Sequence, residues 1–431
     1  MSTTQIHSTR FSSMVVLLVM AMAFSGCQSP SPTSSPAQDK SAVPDKAAVA
    51  SPSAPPQVAA PALPILPHAE AVQTAVNTLF TKANLGDAGQ GGAARRTVVI
   101  DPLIDGVTRS QTEATRAMGV KIGDLVRAKH PGFEVKPLTA SELARSPLLI
   151  VGTFTPINLQ GKTEGVREAF RFCLALVDLK SGKVVSKTVA RSRLEEVNHT
   201  PLPYFRDAPG WTRDAATESY VKTCQASKSG DIANPAYIET LVAVALVEEG
   251  VRNYNAGRFK DARVFFEQAR QTAAGNQLRV LNGLYLSNWK LGQRNEMTNA
   301  FGELVDYAFN QGLLAVTFLF KQGSSVLPPD GKQGPYGTWL KVISQRANQR
   351  NTCLEVAGHT SGGGSELVNQ RLSSLRAEHV RERLVGEAPE LSRRVIATGY
   401  GSREMLVGLG RDDAVDTLDR RVEFKLLNCK A

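Results

Sequence analysis

The chain has 431 residues, of which 42% are hydrophobic, 21% charged and 6% aromatic, and its 50 Lys and Arg against 40 Asp and Glu give a formal net charge of +10. That length and balance exclude a single small module, whole-chain disorder and a polytopic membrane protein, and the few aromatics leave little for a stacking surface on nucleic acid. The positive excess favours anionic surroundings without choosing among cell-wall polymer, lipid headgroups and nucleic acid.

Met1–Arg10 is polar with one firm positive charge, Arg10, and Met14–Phe24 is an unbroken apolar run that stops at Ser25, Gly26 and Cys27. This reads as a secretory leader, too short to span a bilayer by itself. Ser25 and Gly26 directly before a cysteine resemble the bacterial lipobox, with Phe24 a less usual residue at its third upstream position. The resemblance implies cleavage of residues 1–26 and lipid attachment to Cys27; the alternative is ordinary cleavage near Gly26 with Cys27 free. More than one acyl chain on Cys27 makes a stable anchor. Gln28, which is not acidic, places a chain of that pattern in the outer membrane, facing the periplasm. Residues 27–68, rich in Pro, Ser and Ala, read as a tether. A coil of that length spans roughly 35 Å, rising towards about 120 Å as polyproline II.

Val72, Val76, Leu79 and Phe80 recur at helical spacing between Ala69 and Ala83, and Gly86 to Gly92 breaks the pattern. Thr97–Ile100 is a β-branched run, Gln111–Ala128 is helical, Phe133–Pro137 extended, Ala140–Arg145 helical, and Leu148–Phe154 a buried type of strand. Phe170–Asp178 and Lys183–Arg191 flank a hairpin turn, Leu179-Lys180-Ser181-Gly182. Residues 69–200 are therefore expected to form a small α/β domain. Its order, with Val98-Val99-Ile100-Asp101-Pro102 and Leu176-Val177-Asp178-Leu179, resembles the small periplasmic domains of TolB, LpoB and curli-secretion lipoproteins.

Residues 201–235, punctuated by Pro, Gly and Asp, read as a connector with a short helix around Ala215–Cys224. In 236–315, Gly250, Gly257, Phe259, Ala262, Phe266 and Ala269 fall at spacings that resemble a tetratricopeptide repeat, and Gly292 and Phe301 repeat Gly257 and Phe266 35 residues on. Such a segment offers a surface to an envelope protein partner. Two repeats are fewer than an independent solenoid needs, so a helical spacer packed on a neighbour is the other reading.

From 316 to 431 the motifs accumulate. Thr317, Phe318, Leu319 and Phe320 read as an opening strand, Ser324 and Leu327 as the following turn, and Trp339–Ala347 as a helix; Leu354-Glu355-Val356-Ala357-Gly358-His359-Thr360 is a strand running into a loop. Asn369, Leu372, Ser373, Arg376, Ala377 and Val380 then form N-x-x-L-S-x-x-R-A-x-x-V, and Asp419-Arg420-Arg421-Val422-Glu423 closes the set. These motifs, in this order, resemble the OmpA-like peptidoglycan-binding domain. The expected fold class is accordingly multidomain, α/β plus all-α, ending in a βαβαββ domain.

Asn369, Leu372 and Arg376, at i, i+3 and i+7, share one helix face, and a glycine-rich turn from Ser361 to Ser365 leads into that helix. The resemblance implies that Arg376 clamps a stem-peptide carboxylate, which suits a bidentate guanidinium, while Thr360, Ser361, Asn369 and Leu372 complete the pocket. The family has Asp directly after the loop Thr, where it takes the diaminopimelate ammonium; this chain has Ser361. Losing a charge-assisted hydrogen bond of that kind weakens binding about ten- to a hundred-fold. Glu366 and Asp413 are acids that can supply charge if the fold brings either near. The bland readings are a surface ion pair for Arg376, a structural strand position for His359, and packing and charge pairing for Asp419, Arg420 and Arg421.

Cys173, Cys224, Cys353 and Cys429 are an even number in an oxidising compartment, with three possible pairings. Cys353 with Cys429 is favoured because both flank strands of the last domain; Cys173, in an apolar strand, reads equally as a buried thiol. No C-x-x-C and no ligand spacing among His7, His68, His130, His199, His359 and His379 supports a metal. Gly161-Lys162-Thr163 has Pro156 where a P-loop needs Gly, Gly399 and Gly401 lack the third glycine of a dinucleotide fingerprint, and no G-x-S-x-G elbow occurs. The expectation is therefore no enzyme, no cofactor and no nucleic-acid partner. The chain reads as an outer-membrane lipoprotein that docks on peptidoglycan, or alternatively as an envelope adaptor or accessory subunit of a secretion or wall-synthesis machine whose pocket has lost or altered its ligand.

Overall fold

In the computed structural model, residues 63–85, 95–195, 197–318, 320, 324–327, 335–410 and 415–429 are described; the leader, Cys27, most of the tether, the break at Gly86 to Gly92, Leu319 and Asp413 lie outside them. Among the described residues no helix is long and apolar enough to cross a membrane.

A six-stranded sheet is built from β1 (Ile65–Leu66), β2 (Arg96–Ile100), β3 (Phe133–Lys136), β4 (Leu148–Ile157), β5 (Ala169–Asp178) and β6 (Lys183–Arg193), in the order β1-β6-β5-β4-β2-β3. Successive strand residues face opposite sides, so Val98, Ile150, Phe172 and Leu174 share a core with helices α1 (His68–Thr81) and α2 (Glu113–Lys129), while Val99, Leu149, Val151, Ala175 and Val177 face the other way. Both faces are covered, which is why all of β4 is buried and its sequence is a continuous apolar run. Thr112 and Thr115 cap α2 reciprocally. A short helix, α3 (Ala140–Leu143), links β3 to β4. The β5–β6 turn uses Gly182 at φ +69°, and its N–H donates to the Asp178 carbonyl at 2.8 Å.

The segment 201–235, expected as a connector, holds α4 (Pro203–Asp207), β7 (Gly210–Trp211) and α5 (Ala215–Gln225) and ties two sheets together. Tyr220, Val221 and Cys224 of α5 pack on the second face of the first sheet, and Gly210 and Trp211 pair antiparallel with Val316 and Ala315 in the other sheet. Gly210 lets this strand lie close against the helix that carries Leu304, since a Cβ there would stand 2.6 Å from a methyl of that residue. Buried Asp214 caps α5 through the Ala216 and Thr217 N–H groups at 2.8 and 3.1 Å and also accepts from the Leu278 N–H at 2.6 Å and the Tyr307 hydroxyl at 3.1 Å. What reads in sequence as linker punctuation is a cap and a junction.

Helices α6 (Pro235–Asn255), α7 (Phe259–Arg270), α8 (Leu278–Lys290) and α9 (Arg294–Asn310) form the middle segment. Phe266 of α7 wedges between Gly250 of α6 and Gly283 of α8, where an added Cβ would come within 2.7 and 2.5 Å of its ring. The first half of α6 (Tyr237, Leu241, Ala245) covers the first sheet, and the remaining helices share one continuous core with the last domain, down to Val422 and Phe424. Trp339 donates to the Tyr285 hydroxyl at 2.9 Å across that seam.

The last domain runs β8 (Leu313–Val316), α10 (Tyr336–Gln349), β9 (Cys353–Gly358), α11 (Glu366–Glu387), β10 (Val395–Gly399) and β11 (Val422–Leu427), with sheet order β10-β9-β11-β8-β7. This is a βαβαββ succession. The opening strand corrects the sequence expectation of Thr317–Phe320: it lies at Leu313–Val316, where Val316 pairs with Val422, and the chain has left the sheet by Thr317. Cys353 and Cys429 are joined by a disulfide at 2.07 Å, closing β9 onto the residues after β11, and a second disulfide joins Cys173 of β5 to Cys224 of α5.

Candidate functional site

The loop from His359 to Ser365 joins β9 to α11. It is fixed by the His359 N–H on the Arg421 carbonyl at 3.0 Å and the Thr360 N–H on the Gly401 carbonyl at 2.9 Å. Gly358 lets α11 approach β9, since a Cβ there would stand 2.2 Å from the Ser373 carbonyl oxygen, and Gly364 turns the loop at φ +80°. Ser365 caps α11 through the Val368 N–H at 3.4 Å, and Asn369 reaches back from the first turn to donate to the Gly363 carbonyl at 2.9 Å. Asn369 thus sets the shape of the loop.

Thr360, Ser361, Asn369, Leu372 and Arg376 all line one cavity of about 470 Å³. Arg376 is 6% exposed, which departs from a surface ion pair. Its Nε donates to the Ser324 carbonyl at 3.1 Å, and its guanidinium carbon lies 4.8 Å from the centroid of Phe320. The Thr360 Oγ1 is buried with no hydrogen-bond partner among the described residues, a polar atom placed for a ligand. Glu366 is not part of the lining; its carboxylate accepts from the Ser402 hydroxyl at 2.6 Å and lies 3.9 Å from Arg403.

Phe320, Val368 and Arg420 join the lining. Val422 and Phe424 face the core, whereas Arg421 and Glu423 pair with each other at 2.7 Å. Asp419 is fully buried and accepts from the N–H groups of Leu406, Val407 and Gly408 at 2.6, 2.9 and 2.8 Å, holding the loop before the last strand. Burial raises its pKa, and those backbone donors offset part of the rise.

His359, 1% exposed, stacks on Tyr400 at 5.2 Å and lies 3.5 Å from Glu423. Burial lowers its pKa and so favours the neutral ring. Burial works to raise Glu423, but His359 and Arg421 override it and hold the carboxyl well below the usual range. Donor atoms of His359, Glu404 and Glu423 lie within 4.8 Å of one another. Lys425 Nζ, however, is 3.5 Å from both carboxylates, and Arg421 binds Glu423, so the cluster already holds its positive charge.

Residues 319–414 match the OmpA family. Over 94 residues, 21% of this chain, the sequence is 36% identical to outer membrane porin F of Pseudomonas fluorescens, and the match spans 28% of that protein's length. Similar solved structures include the peptidoglycan-associated lipoprotein of Burkholderia pseudomallei, at 24% identity over 26% of this chain and 89% of that one, with a TM-score of 0.23. The cell wall anchor of the T6SS from Pseudomonas aeruginosa is 20% identical over 26% of this chain and 79% of that one, also with a TM-score of 0.23. The carboxyl-terminal part of this chain is an OmpA-family domain, set in a mixed α/β fold with a helical middle segment.

Proposed function

We propose that this protein is an outer-membrane lipoprotein, attached through Cys27 and facing the periplasm, that docks non-covalently on peptidoglycan through its OmpA-family domain. The observation that carries the reading is the convergence of Thr360, Ser361, Asn369, Leu372 and Arg376 on one cavity, with the Arg376 guanidinium held by Ser324 and Phe320. A positioned guanidinium is suited to a carboxylate, and the Thr360 hydroxyl, without a hydrogen-bond partner among the described residues, supplies a second polar contact. The role is anchoring, not turnover. Co-sedimentation of the full chain with purified sacculi tests it: wild type pellets with the sacculi, and Arg376→Ala stays in the supernatant.

A second reading rests on Ser361, which stands where the family's aspartate would meet an ammonium. In it, the pocket has altered its ligand and the tetratricopeptide-like helices recruit an envelope protein, making the chain an adaptor or accessory subunit of a secretion or wall-synthesis machine. Stoichiometric recovery of one protein after gentle crosslinking, with no pelleting on sacculi, is its signature.

A further inference from the structure

We propose that a cavity between α2 and α6, at the carboxyl end of β2, binds the zwitterion of an aliphatic amino acid. Strand β2 connects through α2 to β3, and β3 connects through α3 to β4 on the other side of β2, all three parallel. Crevices for ligands form at the carboxyl ends of strands where connections diverge in this way. A cavity of about 330 Å³ opens at the carboxyl end of β2, within the range of small-molecule sites. Ile100, Pro102, Leu103, Val120, Leu202 and Val251 give it an aliphatic wall. Gly119 adds to that opening: it lies inside α2, yet a Cβ built on it meets nothing within 4 Å. An interior helix glycine lowers stability relative to alanine, and here no neighbour requires it.

The polar groups are distributed by sign. Glu248, 4% exposed, forms the inner carboxylate, with Gln111 Nε2 donating to both oxygens at 2.8 Å and Arg279 Nη1 lying 3.2 Å from Oε1. Its Oε2 takes only the Gln111 bond among the described contacts, so a buried acceptor has capacity left. Arg116 and Arg252 also line the cavity, each in an i,i+3 pair with Glu113 or Glu249, at 2.7 and 3.0 Å. Such exposed pairs are weak and open to competition. A simple carboxylate is repelled by Glu248, and a simple amine by the two guanidiniums. A molecule with an ammonium for Glu248, a carboxylate for Arg116 and Arg252, and an aliphatic side chain for the wall satisfies all three.

Calorimetric titration of the full chain with L-leucine and D-leucine tests the proposal, with 4-methylpentanoate and isopentylamine as analogues lacking one charge each. One leucine enantiomer should give saturable heat, with both analogues weaker by about tenfold or more. Glu248→Gln should lose the binding. Gly119→Leu fills the opening where nothing stands in its way and raises helix propensity, so it should fold and still lose the binding. No saturable heat from either enantiomer, or unchanged leucine binding in Gly119→Leu, overturns the proposal.

Discussion

The guanidinium of Arg376 packs on the Phe320 ring, 4.8 Å from its centroid, although the two residues come from segments separated by α10 and β9. The ring and the Ser324 carbonyl fix a buried cation at the wall of the cavity. A planar group held in this way presents its fork in one orientation.

Arg376→Lys keeps the charge but loses the fork and the stacking plane. Binding to sacculi should weaken about tenfold, and Phe320→Leu should weaken it by less with little change in stability. Binding isotherms for both variants check this; equal affinity of the lysine variant and wild type would show that the fork is not used.

Asp101 is buried, 1% exposed, and accepts a hydrogen bond from the Tyr237 hydroxyl. Burial and the nearby charge of Glu248 push its pKa from 3.8 up to about 7. The folded state therefore keeps a proton that the unfolded chain releases, and stability falls as pH rises from about 4 to about 7, by roughly 1.4 kcal/mol per pH unit for one proton. Urea unfolding across that window should show the slope in wild type and a flatter profile in Asp101→Asn.

Phe266 leaves no room for a methyl group at Gly283, where a Cβ would stand 2.5 Å from its ring. Gly283→Ala should destabilise the chain by about 1–3 kcal/mol despite its better helix propensity. Adding Phe266→Leu should recover part of the loss, since the two changes share one contact. Denaturant midpoints of the single and double variants give the coupling.

Asp419→Ala strips the acceptor from three backbone N–H groups at Leu406, Val407 and Gly408. A loss of about 2–4 kcal/mol follows. Arg167 of the first domain lies against this loop, 3.4 Å from the Met405 carbonyl, so hydrogen exchange should rise around Arg167 as well as in the loop.

Regular elements were legible where periodicity is strong. The continuous apolar run of β4, the β5–β6 hairpin turn and the i, i+3, i+7 face of Asn369, Leu372 and Arg376 all follow from spacing alone. Leu313–Val316 and Thr317–Phe320 are about equally apolar, so only the pairing of Val316 with Val422 decides which is the strand. The two-residue strand at Gly210–Trp211 is too short to show a period, and its partner lies about a hundred residues away. Phe320 and Arg420 reach the cavity from either end of the domain, a long-range placement that local pattern does not carry. The cavity beside Gly119 likewise depends on Val251 and Glu248, brought in from α6.

The most direct test of the central claim is a calorimetric titration of a stem tripeptide ending in diaminopimelate into the full chain, comparing wild type, Arg376→Ala and Ser361→Asp. Wild type should bind weakly, Arg376→Ala should not bind, and Ser361→Asp should bind about ten- to a hundred-fold more tightly by adding a carboxylate for the ammonium. No binding by wild type, or binding that Arg376→Ala leaves unchanged, would contradict peptidoglycan docking through this cavity.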